Sequence, residues 1–181
     1  MIKISKSTRL TYRLMDENDA ELLWQLDQDP LVMKYIKDGE LPSMKETLTI
    51  NIPRMNHYRN PEAGWGIWQV NIAATNEYIG WIIVRPMNIM LGTPELDNME
   101  IGWRFKSHTW GNGYATEAAN HICAAFAEQS DVERFCAIAI KENVASVKIM
   151  KKMGMSFVKE YVHHDPLGDW PVVYYQMAIK R

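Results

Sequence analysis

The residues best suited to chemistry in this chain gather at a turn. A strand-like run, Asn98–Phe105, leads within a few residues into Trp110-Gly111-Asn112-Gly113, and a helical run from Tyr114 to about Glu128 follows directly. A strand that runs into Gly-x-Gly and a helix start is an anion-binding device. Glycine lets backbone N–H groups approach a phosphate closely, and the helix N-terminus adds partial positive charge. A tight strand-to-helix turn also uses glycine for geometry alone, so the turn needs its context before a ligand can be assigned. Two phosphate signatures are absent. The dinucleotide fingerprint G-x-G-x-x-G fails because Thr116 stands where the third glycine belongs, and no Gly-Lys-Ser/Thr follows to complete a P-loop.

The elements that must position this turn follow from hydrophobic period and punctuation. Thr8–Leu14 alternates and reads as a first strand. Asp16 can cap a helix with Glu17 and Asp19 in its first turn and Leu22, Leu23 and Leu26 as its apolar stripe, ending at Asp29-Pro30. Ser43-Met44-Lys45-Glu46 is a capping box for a second helical segment running toward Tyr58. Trp65–Ala73 and Tyr78–Arg85 form a hairpin around Thr75-Asn76-Glu77, and Pro86–Asp97 reads as an irregular loop. In the strand Asn98–Phe105, Met99, Ile101, Trp103 and Phe105 are all apolar, which buries one face. Arg134–Ile140 suits a covered central strand. Asn143 opens another helix that Gly154 stops, and Met155–Val162 and Val172–Lys180 are final strands around a loop, His163–Pro171. Strands on both sides of two long helices define an α+β domain built on one mixed sheet. With no linker or repeat, residues 1–181 form a single domain.

In that order the motifs acquire a family likeness. Trp110-Gly111-Asn112-Gly113-Tyr114-Ala115-Thr116-Glu117-Ala118 resembles the pyrophosphate-binding motif of the GNAT superfamily of N-acetyltransferases, Arg/Gln-x-x-Gly-x-Gly/Ala, with Gly113 and Ala115 in register and Trp110 replacing the Arg or Gln. Trp at that place resembles the branch of ribosomal-protein alanine and serine N-terminal acetyltransferases. Thr8–Leu14, Asp29–Met33, Glu100–Trp103, Asn143–Ser146 and Lys152–Met155 resemble further segments of that branch in sequence order. Asn143 lies 30 positions after Gly113, which fits a helix plus a strand.

The resemblance implies a GNAT-like domain: a mixed sheet of about seven strands, helices on both faces, and fourth and fifth strands that splay apart. It implies acetyl-CoA as cosubstrate, its pantetheine in the gap against Trp103, Arg104 and Phe105. The pyrophosphate would lie on the N–H groups of Gly111, Asn112, Gly113, Tyr114 and Ala115, next to Trp110 and within reach of the Thr116 hydroxyl. Asn143 and Ser146 would face the thioester. Asn143 is also a good helix cap, and Ser146 an ordinary first-turn residue. Many members use a Tyr on the last helix to protonate the leaving thiolate. Here Met150 occupies that place, which leaves Ser146, directly or through water, as the replacement. Glu100, the carboxylate inside the fourth strand, is the candidate base for the amine, with a structural acceptor as its other reading. Glu117 favours the helix N-terminus. His163, His164 and Asp165 are consecutive, a pattern that seldom converges on one ion. They are therefore assigned to a loop, with no metal expected.

Composition bounds the partners. The net charge of −2 disfavours nucleic acid, and no apolar run approaches the roughly 18 residues of a membrane helix. Two cysteines, Cys123 and Cys136, without CxxC spacing, and a start lacking a signal-peptide core, fit a cytoplasmic location. The expected partners are acetyl-CoA and an amine acceptor, either a protein or peptide N-terminus or a small molecule, with a homodimer left open. Acidic and aromatic residues expected at the cleft (Glu95, Asp97, Asp165, Asp169, Trp170) would suit a cationic amine. The competing function is a non-catalytic acyl-CoA-binding module, which a thiol-release assay distinguishes.

Overall fold

A computed structural model describes residues 1–179. Seven strands form one sheet in the order β1-β2-β3-β4-β5-β7-β6. They are β1 (Leu10–Leu14), β2 (Gly66–Ile72), β3 (Tyr78–Met87), β4 (Glu95–Phe105), β5 (Arg134–Ala139), β6 (Ser156–Asp165) and β7 (Gly168–Ala178). Every neighbouring pair is antiparallel except β4 and β5, which run parallel and are joined through a helix.

One face is covered by α1 (Ala20–Leu26), α2 (Pro30–Met33) and the capped segment α3 (Met44–Glu46), which passes through a π-helical turn at Thr47–Asn51 into α4 (Ile52–Tyr58). Both expected N-terminal devices form. Asp16 and Asp19 make a reciprocal box before α1, and Ser43 and Glu46 make another before α3, each satisfying helix-start N–H groups that have no partner within the helix. Leu23, Ile52, Met55 and Tyr58 pack on Ile67 of the sheet, with Trp81 and Ile83 alongside. The other face carries α5 (Tyr114–Gln129) and α6 (Val144–Lys152). There Ala118, Ala119, Ile122 and Phe126 of α5 meet Met99, Ile101 and Phe105 of β4. The alternation in β4 thus sends its odd residues toward α5 and its even residues toward the α1–α4 side.

Three boundaries differ from the sequence reading. β3 runs on to Met87 and β4 starts at Glu95, so the expected loop Pro86–Asp97 shrinks to a short stretch holding a 3-10 turn, Ile89–Leu91. A register irregularity at Pro86/Met87 lets the strand continue through the proline. The expected loop His163–Pro171 is a hairpin: His163 pairs with Trp170, and Pro171 with Val162. β5 pairs with β7 only from Val173 onward, so Pro171 lies where β7 has a strand on one side alone, a position that tolerates a missing N–H. The expected last strand reached Lys180, which lies outside the described residues.

Candidate active site

The sheet opens where the chemistry is needed. β4 pairs with β5 at Asn98, Met99 and Glu100 only, while β5 continues through Ala137–Ala139 against β7. From Ile101 to Phe105, therefore, β4 has no β5 partner, and its free edge faces the gap. A cleft of about 400 Å³ fills this space. Gly102, Trp103 and Arg104 line one side, Ala137–Ile140 the other, and Asn143, Ser146 and Met150 of the last helix also border it. Unpaired peptide groups on a strand edge are ready to bond an amide-bearing chain. Pantetheine is such a chain.

The turn lies at the C-terminal end of β4. Gly111 and Gly113 adopt φ of +81° and +79°, the left-handed region that glycine enters without penalty. A Cβ at Gly111 would meet nothing within 4 Å, and one at Gly113 only an Arg9 nitrogen at 3.7 Å. Gly113 is the N-cap of α5 and supplies no side-chain cap. The first N–H groups of this 16-residue helix therefore border open space at the two glycines, the kind of place where an anion can approach a helix start. Trp110 fastens the turn to the strand, its Nε1 donating to the Phe105 carbonyl at 2.8 Å, while Asn112 Nδ2 donates to the Thr109 carbonyl at 3.0 Å. Tyr114, Ala115 and Thr116 form the half-buried first turn of α5.

Glu117 does more than complement the helix end. Its carboxylate accepts from the Ser7 hydroxyl at 2.8 Å, the Arg9 backbone N–H at 2.8 Å and Arg9 Nε at 2.7 Å. Burial alone would raise its pKa, but the Arg9 and Ser7 bonds outweigh that and hold it below the usual value. Arg9 Nη1 also donates to the Asn112 carbonyl at 3.0 Å, and its guanidinium stacks on the Tyr114 ring at 4.5 Å. Sequence alone marks Arg9 only as part of a strand. The structure puts its charge beside the turn, from which Trp110 removes the motif's own polar residue.

At the opposite end, Asn143 Oδ1 accepts from Ser146 N at 3.1 Å and caps α6, while both residues border the cleft. Met150 is buried at the cleft wall and carries no proton to give. Glu100 lies beside the point where the strands part, but its carboxylate is engaged. Arg85 Nε of β3 donates to Oε2 at 2.8 Å, and both residues are buried. Arg85 also stacks on the Tyr58 ring at 5.1 Å. This is the geometry of the structural-acceptor reading of Glu100.

The acidic residues expected to attract a cation are likewise engaged. Asp165 pairs with Arg54, Asp97 with Arg134 and Asp169 with His164, while Glu95 accepts from Asn88 and Asn98. Asp27, which also lines the cleft, pairs with Arg104. His163, assigned to a loop by sequence, is a buried residue of β6 that lines the cleft. Its spacing from Asp165 and Tyr161 at alternate positions was the available signal. Trp170 borders the cleft as expected. Among the described residues no helix is long and apolar enough to cross a membrane.

Parted parallel strands, with an uncapped glycine turn at one end and a polar pocket at the other, leave room for a long nucleotide-tailed thioester to lie along β4. Comparison with known proteins supplies the family. The chain matches the Acetyltransferase (GNAT) domain over residues 9–156, and it belongs to that family as an acetyl-CoA-dependent N-acetyltransferase. It is 30% identical over 154 residues to the uncharacterized protein YkkB of Bacillus subtilis, covering 83% of this chain and 84% of that one. It is 26% identical over 157 residues to the FsC-acetyl coenzyme A-N(2)-transacetylase of Aspergillus fumigatus, covering 86% and 66%. Its fold is similar to that of RimL, a ribosomal L7/L12 alpha-N-protein acetyltransferase solved with coenzyme A, with a TM-score of 0.73, 18% identity and coverage of 98% and 97%.

Proposed function

We propose that the protein transfers an acetyl group from acetyl-CoA directly to a primary amine in a ternary complex, and that the amine is the N-terminus of a protein or peptide. The observation that carries this reading is the parting of β4 from β5 after Glu100, which puts a free strand edge between the glycine turn and the pocket. The pyrophosphate would rest on Gly111, Asn112, Gly113, Tyr114 and Ala115, with the Thr116 hydroxyl and Arg9 beside it. The pantetheine amides would bond the edge at Trp103, Arg104 and Phe105. A β4 backbone N–H would bind the oxyanion, Ser146 would pass a proton to the departing thiolate, and Asn143 would hold Ser146 in place. Proximity and orientation supply much of the rate in such an arrangement.

The acceptor class rests on charge. Three carboxylates line the cleft, Asp27, Glu100 and Asp165, and each is neutralised by an arginine. Such a pocket offers little to a polycation and suits a single amine on a neutral, extended body. A small-molecule monoamine is the alternative acceptor. The test is thiol release from acetyl-CoA with peptides bearing N-terminal alanine or serine, simple monoamines and kanamycin. Peptides should be turned over with the highest kcat/KM, and preferred acetylation of kanamycin would contradict the charge argument.

A further inference from the structure

The cleft contains three carboxylates, and arginines occupy them all, so none is a free proton acceptor. The arginines have no lone pair to offer, and burial pushes the Tyr58 phenol up to about 12, which keeps it protonated. Beside Tyr35 and Lys37, the described cleft lining holds one imidazole, that of His163, the side-chain type best suited to accept a proton near neutral pH. It is 9% exposed and sits in a paired strand, not on a mobile tip. Its Nδ1 lies 3.1 Å from the Tyr161 hydroxyl, and the two rings meet edge to face with centroids 5.9 Å apart. A ring that donates from Nδ1 to the Tyr161 oxygen keeps the Nε2 lone pair for a substrate.

We propose that His163 is the general base that takes the proton from the acceptor's ammonium group, with Tyr161 fixing its ring. This assignment rests on the acetyl-transfer reading above. The surroundings support it from every side. Burial pushes the His163 pKa down, Glu100 of β4 and Asp165 of β6 push it back up, and Arg85 of β3 and His164 add to the lowering. The net shift is downward, so the ring is neutral near pH 7 and ready to accept. Arg54 of α4 and Arg85 temper the two carboxylates. Those carboxylates still favour the imidazolium that forms transiently.

The ammonium gives one proton to Nε2, and the freed nitrogen lone pair forms a C–N bond to the thioester carbonyl carbon. When the C–S bond breaks, the nitrogen's second proton passes to the thiolate sulfur through Ser146. The imidazolium proton leaves to water. The products are the amide, the free thiol and one released proton.

The experiment measures kcat/KM from pH 5 to 9.5 for wild type, His163→Gln and His163→Ala, using acetyl-CoA and the amine of the panel that wild type acetylates best. General-base removal costs roughly 10²–10⁴-fold, so a loss of about 10²-fold is expected at pH 7. The gap should narrow above about pH 8, where an α-amine is largely unprotonated. Acetyl-CoA affinity by calorimetry should stay within about twofold, and added imidazole should restore His163→Ala at least tenfold while leaving wild type unchanged. Parallel pH profiles in His163→Gln within threefold of wild type, with no imidazole rescue, would overturn the assignment and leave a structural histidine. A wild type that binds acetyl-CoA but acetylates no amine in the panel would overturn the acetyl-transfer reading itself, and His163 with it.

Discussion

Glu100→Gln separates a structural carboxylate from a catalytic one. The substitution leaves Arg85 buried with a neutral partner where an anion had been. Removing one member of a buried ion pair costs about 3–5 kcal/mol. Gln keeps an oxygen that can accept from Arg85 Nε, now 2.8 Å from the carboxylate, so the lower end applies, about 3 kcal/mol. Unfolding entropy of about 2.1 cal/mol/K per residue over 181 residues is about 0.38 kcal/mol/K. The expected drop in Tm is therefore about 8 °C. Replacing both partners by apolar residues, Arg85→Met with Glu100→Leu, should recover most of that loss, because no charge is then left buried alone. Specific activity of folded Glu100→Gln should stay within about threefold of wild type at pH 7, far from the 10²–10⁴-fold loss of a missing base. Thermal melts and kcat/KM on the same preparations read both quantities. An unchanged Tm with activity down by about a hundredfold would refute the ion-pair argument and make Glu100 the base.

Two further outcomes follow from the last helix and the turn. Ser146→Ala should lower kcat while leaving acetyl-CoA affinity within about twofold, because a proton delivered to the departing thiolate matters only as the C–S bond breaks. A normal kcat would remove that role. Glu117 has a folded-state pKa below its ordinary 4.5, so its contribution to stability is present above that pH and is lost as pH falls through the folded value. Glu117→Gln should flatten the acid side of the stability curve below about pH 4.5, and an unaltered curve there would show that the Arg9 and Ser7 bonds contribute nothing net.

Much of the fold was legible because local rules dominated where the site is built. Met99, Ile101 and Phe105 alternated in sequence and face α5 in the structure. The glycines of the turn adopt positive φ, Ser43 forms the capping box that its spacing allowed, and Asp16, expected as a cap, forms a box with Asp19. What escaped was set by partners far away in sequence. Glu100 admitted both a base and a structural-acceptor reading because Arg85 reaches it only through the β3–β4 register, and Asp165 showed no partner because Arg54 lies 111 residues earlier on a helix. His163 to Pro171 looked like a loop because histidines, glycine and proline interrupt the apolar pattern. Pairing of β6 with β7 beyond the end of β5 extends the hairpin regardless and brings His163 into the cleft.

The central claim is that acetyl-CoA lies on the uncapped turn at the head of α5, and Gly113→Val tests it most directly. The backbone φ of +79° costs a non-glycine residue about 1–2 kcal/mol. The nearest atom to an added Cβ is the Arg9 nitrogen at 3.7 Å, so the variant has room to fold. Its methyl groups would stand over the N–H groups that the pyrophosphate needs. Calorimetry with acetyl-CoA on the folded variant should show an affinity at least tenfold weaker than wild type, about 1.4 kcal/mol or more. An unchanged affinity would contradict the account and place the cofactor elsewhere.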